Sequence, residues 1–281
     1  MRVSSIGFIG QGYVGKNYAN YFESQGHQII RYALEEPFLK NKSRIRDCDI
    51  VFIAVPTPTT PKGFDDRAVR EALSLVREGS IVVIKSTIVP GSTRTLARSY
   101  RKSKILFSPE FLSEVTAAYD VAHPFVNIIG MAVDTPEYRK AARKVMKMFP
   151  AAPFSLLCDS VEAEIIKYSH NLNGYFQIIL ANMLYDVSQK FGAKWECIRK
   201  AIEADPYISN RYANPVHKKG RGAGGNCFIK DFAAFAKAYE KEVKDIVGVK
   251  LLAALAAKNA SLLQKSGKDV AILRAVYGQK G

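Results

Sequence analysis

Short, nearly continuous apolar runs alternate with helical patterns along the first half of the chain. "VSSIGFIG" leads into a helix predicted from about Val14 to Ser24, and "QIIRYA", "DIVFIAVP", "SIVVIKST", "KILFSPE" and "FVNIIG" follow as strands. Helical stretches separate most of them, among them "DDRAVREALSLVREG", where Asp65 or Asp66 is placed to cap the first turn. Strands apolar on both faces belong in a buried parallel sheet covered by helices. The alternation predicts an α/β fold built on a doubly wound sheet.

From about Ser160 the period changes. "SVEAEIIKYSHNLNGYFQIILANMLYDVSQKFG" has no proline and keeps apolar residues at helical spacing, with Glu162 and Glu164 in its first turns. A helix this long and apolar is expected at the heart of a second domain or of a dimer. "AKWECIRKAIEA", "IKDFAAFAKAYEKE" and "DIVGVKLLAALAAKNASLLQKSG" continue as helices, and "DVAILRAVYG" reads as a strand. The predicted division is 1–158 for the sheet domain, 159–267 for an all-helical domain around one long central helix, and 268–281 for a last strand.

The 281 residues carry 41 Lys and Arg against 26 Asp and Glu, a net charge of +15. That balance favours anionic partners, either nucleic acid or phosphorylated small molecules. The charge is spread, however. "YRKAARKVMK" reads as the solvated face of a helix, "HKKGRG" (His217–Gly222) is the one dense loop cluster, and no aromatic-interleaved basic motif stands beside it. Nucleic acid is the disfavoured partner. No apolar run reads as a membrane span, and the N-terminus reads as a strand entering a turn rather than a signal peptide. Cys48, Cys158, Cys197 and Cys227 form no Cys-x-x-Cys pair, which argues against a metal site or disulfide framework and suits a reducing cytoplasm.

"GQGYVG" sets Gly10, Gly12 and Gly15 between the first strand and the first helix. Glycines at this spacing allow a tight turn, close approach of a pyrophosphate, and packing of helix on strand, with the helix N-terminus facing the anion. The reading is a Rossmann-like dinucleotide site. The acidic residue that usually ends the second strand is absent, since Ala33 and Leu34 stand there and Glu35 follows. No arginine stands at the strand end to receive a 2′-phosphate, so NAD is expected over NADP.

Three polar pairs recur at a spacing of four: Glu110 with Glu114 in "SPEFLSE", Lys167 with Asn171 in "KYSHN", and Cys227 with Asp231 in "CFIKD". On a helix such pairs share a face. With these words, with "GFIGQGYVG", "VFIAVPTPTTPKGFD", "IVVIKSTIVPGSTR", "EAEIIKYSHN" and "GAGGNCFIKD", and with "ANP" at Ala213–Pro215, the sequence resembles the UDP-glucose/GDP-mannose 6-dehydrogenase family over essentially all its length, nearest its UDP-glucose members.

The resemblance implies NAD-dependent oxidation of a nucleotide sugar, UDP-glucose to UDP-glucuronate, by two hydride transfers through a cysteine thiohemiacetal and thioester. It implies Cys227 as nucleophile, Lys167 and Asn171 as oxyanion stabilisers, and Glu110 as the group that activates water or shuttles protons. Thr87 and Asp231 would orient water and Lys167, with Glu114 a supporting carboxylate. The cofactor site would add Tyr13, Val14, Glu35, Pro56, Thr57 and Thr87 to the glycines. Substrate would meet Phe111, Leu112, Asn171, Arg211, Lys219, Gly224 and Gly225, with the small residues before Cys227 clearing its path. Arg211, Lys218, Lys219 and Arg221 are expected to supply charge for a diphosphate.

The chain departs from the family in three places. The segment between Arg31 and Asp49 is short. Tyr207 stands where the family has an arginine, with Arg211 expected one helical turn on. The family's C-terminal nucleotide-sugar domain is reduced to its first strand, which implies a short form. A homodimer through the long helix is expected. The alternatives are a single-step hydroxyacid dehydrogenase, which needs no Cys227, and a non-catalytic binding protein on a dinucleotide fold.

Overall fold

The computed structural model describes residues 4–209 and 211–278. Positions 1–3 of the predicted sheet domain and 279–281 of the predicted last strand lie outside them. The chain divides into two compact units, residues 1–57 with 65–167, and residues 58–64 with 168–281.

The first unit holds β1 (Ile6–Ile9), α1 (Tyr13–Ser24), β2 (Ile29–Tyr32) and β3 (Ile50–Ile53). The chain leaves it through the short hairpin β4 (Thr59–Thr60) and β5 (Gly63–Phe64), which belongs to the second unit. It returns with α2 (Arg67–Ser74), β6 (Ile81–Ile84), α3 (Ser92–Ser99), β7 (Lys104–Phe107), α4 (Ala117–Ala122), β8 (Val126–Met131), α5 (Pro136–Met146) and β9 (Phe154–Asp159). The seven strands lie in the order β2-β1-β3-β6-β7-β8-β9. All neighbours run parallel except β7 and β8, so β8 and β9 form a reversed edge.

β1, β3 and nearly all of β6 are buried, as apolar strands covered on both faces must be. Phe8 stacks on Phe52 at 4.7 Å between ring centroids, and Phe22 and Phe149 close over them. Between β2 and β3 the shortened segment makes only two tight helical turns, Leu39–Asn41 and Ser43–Asp47. Asp65, rather than Asp66, accepts a backbone hydrogen bond at the start of α2, from the Arg67 N–H at 3.0 Å.

α6 (Ser160–Lys190) is a single helix of 31 residues, as the unbroken period predicts. It belongs with the first unit through Lys167 and with the second from Tyr168. α7 (Trp195–Ala204), the hairpin β10 (Val216–His217) with β11 (Gly220–Arg221), α8 (Gly225–Glu242), α9 (Ile246–Ser266) and α10 (Val270–Tyr277) complete the second unit. Its core joins Ile229 and Ala233 of α8 to Leu263 of α9 and to Leu273 and Val276 of α10.

Several expectations need correction. "DVAILRAVYG" is a helix, not a strand: its apolar residues at helical spacing set Leu273 and Val276 into the α8–α9 core. The second unit is not all-helical, since it carries two short hairpins. Arg211 is not a helical turn from Tyr207, because α7 ends at Ala204 and both residues lie in the irregular stretch beyond. One helix, α9, is long and apolar enough to cross a bilayer by length and composition, where no such run was expected. Its polar residues have uses within the unit, however: Lys258 pairs with Asp186 at 2.9 Å, and Asn259 brackets Ala223.

The start of α6 is tied to the sheet unit by one carboxylate. Glu164 is fully buried and accepts from the Gly91 N–H at 2.5 Å, the Thr93 N–H at 2.8 Å and the Thr93 hydroxyl at 2.6 Å. These bonds satisfy backbone donors at the open N-terminus of α3. Glu164→Ala leaves them unpaired in a dry site and is expected to cost about 2–4 kcal/mol, read as a lower urea midpoint at unchanged slope.

Candidate active site

β1 ends in the glycine turn at the point where the sheet order reverses, with β2 on one side and β3 on the other. Gly10 has φ +92°, and a side chain there would strike the Ala54 carbonyl oxygen at 2.3 Å. A Cβ on Gly15 would lie 2.0 Å from the Gly10 oxygen, so α1 can sit this close to β1 only with glycine there. Gly12 faces open space at the helix N-terminus, beside Tyr13 and Val14 of the first turn. A cradle closed to side chains below and open above fits the pyrophosphate of a dinucleotide. Thr57 donates to the Thr87 carbonyl at 2.7 Å, joining the ends of β3 and β6, with Pro56 exposed beside them. Glu35 is exposed past β2. Sequence reasoning overlooked Arg31 on β2 itself, which is held by Glu23 at 2.6 Å and Asn20 at 2.7 Å. A guanidinium so engaged leaves no ready grip for a 2′-phosphate.

The polar pairs resolve differently from their spacing. Residues 108–116 are not helical, so Glu110 and Glu114 share no face: Glu110 is buried and Glu114 exposed. The partner of Glu110 is Lys167, which donates to its carboxylate at 3.1 Å and to its backbone carbonyl at 2.6 Å. Both side chains are about 5% exposed. The second carboxylate oxygen accepts from the Leu112 N–H at 2.9 Å, and the Lys167 ammonium lies 5.5 Å from the centre of the Phe111 ring.

Within the second unit, Asn171 donates to buried Asp231 at 2.6 Å, and Lys230 meets the other oxygen of that carboxylate at 2.5 Å. Lys167 and Asn171 lie one turn apart on α6, and Cys227 and Asp231 one turn apart on α8. Cys227 stands in the first turn of α8, half-buried. Burial pushes the thiols of Cys48 and Cys158 up to about 11, which removes both as nucleophiles at neutral pH.

The small residues before Cys227 differ in their surroundings: a side chain on Gly225 would meet nothing within 4 Å, whereas the space beside Gly224 is taken. A side chain on Gly224 would strike the Asp269 carboxylate at 2.1 Å, and that carboxylate accepts from the Gly225 N–H at 2.7 Å. The Asn259 amide holds both the N–H and the carbonyl of Ala223, at 2.7 and 3.0 Å. These groups set the loop that feeds α8, and no local motif pointed to them. Arg221 is also engaged internally, bonding Asn182 at 2.7 Å and Asp186 at 2.6 Å. Arg211 is exposed, 5.8 Å from the centre of the Tyr212 ring, and Lys218 and Lys219 form the exposed tip of the β10–β11 hairpin.

Lys85 was not foreseen. It follows β6 directly, two residues before Thr87, and is only 2% exposed. Its ammonium donates to the Ser108 hydroxyl at 3.1 Å and lies 4.1 Å from the centre of the Tyr18 ring and 4.9 Å from that of Phe149. No carboxylate pairs with it among the described residues. Burial pulls the ammonium down to about 7, with Glu110 holding it up and Lys167 pressing it lower.

Comparison with known proteins gives a consistent result. Residues 35–150 match the NAD-binding domain of the UDP-glucose/GDP-mannose dehydrogenase family, and residues 161–261 match its central domain. A UDP-glucose 6-dehydrogenase of Rickettsia conorii is 28% identical over 280 residues, covering 91% of this chain and 63% of that protein. The chain thus spans less than two thirds of that relative's length. The structure of a UDP-glucose dehydrogenase from Pyrobaculum islandicum superposes with a TM-score of 0.80 at 25% identity, over 95% of this chain and 72% of that one. A 3-hydroxyisobutyrate dehydrogenase of Mycobacterium tuberculosis shares the fold, with a TM-score of 0.73 at 15% identity over 97% of this chain and 98% of that one. The NAD-binding domain match and the cradle at Gly10, Gly12 and Gly15 identify NAD as the cofactor.

Lys85 makes a signed stability prediction. In the unfolded chain the amine keeps its proton up to its ordinary value of 10.5, whereas in the fold it releases it near 7. Below pH 7 both states are protonated and the folded state bears the whole desolvation cost. Between pH 7 and 10.5 the cost declines as the folded amine goes neutral, so stability rises with pH across that window. Lys85→Met is therefore expected to raise the melting temperature. The gain should be greatest below pH 7, on the order of a few kcal/mol, and should shrink toward pH 10. Calorimetry at pH 6 and pH 9.5 measures both.

Proposed function

The chain belongs to the UDP-glucose/GDP-mannose dehydrogenase family, and we propose that it oxidises the C6 alcohol of a nucleotide sugar, UDP-glucose first among the candidates, to the carboxylate. One observation carries this reading: Cys227 stands one helical turn before Asp231, whose buried carboxylate is bonded to Asn171, itself one turn past the Glu110-bound Lys167. A simple alcohol dehydrogenase needs no thiol there. A four-electron oxidation does, because the intermediate aldehyde has to be held.

When bound, NAD accepts a hydride from C6 in each of two steps. In the first, the alcohol gives up its proton through Glu110 as C6 becomes an aldehyde. The Cys227 thiolate then forms a carbon–sulfur bond, and the carbonyl oxygen becomes an oxyanion facing Lys167 and Asn171. Loss of the second hydride from C6 leaves a thioester. Water, oriented by Thr87 and Asp231 and relieved of a proton by Glu110, adds to it. The carbon–sulfur bond breaks, releasing the carboxylate and regenerating the thiol. Glu114, exposed and apart from Glu110, has no step in this scheme.

The functional form is proposed to be a homodimer. Phe176, Leu180, Met183, Leu184 and Val187 of α6, with Phe191 just past its end, form one stripe, all at least 39% exposed. A contiguous apolar stripe at helical spacing is a surface that another copy covers. Sedimentation at micromolar concentration is expected to give a dimer, and Leu180→Glu a monomer. A wild-type monomer would exclude this arrangement.

NADH release with a panel of UDP- and GDP-sugars tests the reaction. Two NADH per sugar are expected, and one NADH per substrate would point to a single-step dehydrogenase instead. Cys227→Ser should abolish steady-state turnover, since an oxygen ester forms and hydrolyses poorly, and should leave an adduct detectable by mass. Lys167→Ala should slow both hydride steps, by roughly 100-fold or more. Full turnover with two NADH in Cys227→Ser would remove the covalent route.

A further inference from the structure

Lys85 is buried and, among the described residues, makes one conventional hydrogen bond, so packing alone does not account for it. Its place is informative. Lys85 follows β6 and Ser108 follows β7, at the carboxyl ends of adjacent parallel strands, where ligands of open α/β sheets bind. Two residues beyond Ser108 comes Glu110, and two beyond Lys85 comes Thr87. The apolar ring faces of Tyr18 and Phe149 close the other sides of the amine. Its charged surroundings are Glu110 and, on α6, Lys167; the Tyr18 hydroxyl on α1 is pushed up by burial and by Glu110.

We propose that Lys85 is a positioning residue that acts through Glu110: by gaining or losing one proton to solvent, its amine sets how strongly the Glu110 carboxylate is held as an anion and how freely it accepts a proton. With Lys85 protonated, two ammonium groups share the surroundings of the Glu110 carboxylate. With Lys85 neutral, Lys167 alone attracts it. The change falls near neutrality, because the buried amine titrates at about 7. The consequence for rate rests on the proposed role of Glu110 in proton transfer, but the electrostatic coupling does not.

The Leu112 amide gives a direct readout, since it donates to the Glu110 carboxylate at 2.9 Å. In an amide NMR titration from pH 5.5 to 9, wild-type Leu112 should show an inflection near pH 7, and Lys85→Met should lose it. Ser108→Ala removes the one acceptor of the charged amine and should move the inflection to lower pH, which keeps the test available if the methionine variant does not fold. His170 lies three residues past Lys167 on the same helix, so His170→Gln is the control and should keep the inflection. Turnover should rise through the same pH in wild type and lose that step in Lys85→Met. An unchanged Leu112 inflection in Lys85→Met, or its loss in His170→Gln, overturns the proposal. Wild-type protein inactive on every nucleotide sugar, but with the Leu112 inflection abolished by Lys85→Met, would overturn the proposed reaction and leave the coupling standing.

Discussion

The ion pair between Lys167 and Glu110 is the constraint around which the sheet unit's part of the site is arranged. Both partners are about 95% removed from solvent, where an uncompensated charge is severely penalised. Each is therefore satisfied further: Lys167 by the Glu110 carbonyl, and Glu110 by the Leu112 N–H. Such a pair adds little net stability, and its worth lies in geometry. It fixes an ammonium at one turn of α6 and a carboxylate at the end of β7. Glu164 works one turn earlier on the same helix, anchoring α6 to α3 so that the ammonium is presented from a rigid element.

Asn171 and Asp231 repeat the device in the second unit, with an amide in place of the ammonium. On the proposed mechanism a neutral donor suits that position: it would share charge with an oxyanion without adding another buried cation to a chain that already carries Lys85 and Lys167. Tyr175 stacked on Phe232 at 4.0 Å packs α6 against α8 one turn beyond this pair, so helix packing and hydrogen bond define the same register.

Period and glycine placement made most of the fold legible. The strand runs of β1, β3 and β6 are apolar throughout, and α6 lacks proline, so both kinds of element could be read locally. β9 was missed because "FSLLCD" is only half-buried and mixes polar with apolar residues. The last segment was misread because an apolar run of eight residues satisfies either period, and only the α8–α9 core decides it. Within the site, spacing of four is informative only on a helix. It succeeded for Lys167 with Asn171 and for Cys227 with Asp231, and it failed for Glu110 with Glu114, where the chain is a loop. Asn259, Asp269, Arg31 and Lys85 were invisible because each acts on a residue brought near by tertiary structure. No short window contains both partners.

The same distinction governs the positive charge. Arg31, Arg221, Lys167 and Lys268 spend theirs on internal acceptors, Lys268 on the Gly222 carbonyl at 2.9 Å. The basic cluster read from sequence as one unit therefore splits, with Arg221 inward and Lys218 and Lys219 outward. Those two hairpin-tip lysines have φ of +49° and +63°, a region where side chains cost about 1–2 kcal/mol relative to glycine. A tight hairpin is most easily built with Asn-Gly at these positions. Lysine at both, exposed on the hairpin that leads into the Cys227 loop, gives up backbone ease for two cations in one place. On the proposed function that exchange would suit a segment that meets a diphosphate, with Lys219 rather than the internally bonded Arg221 as the proposed cation for the nucleotide end of the substrate.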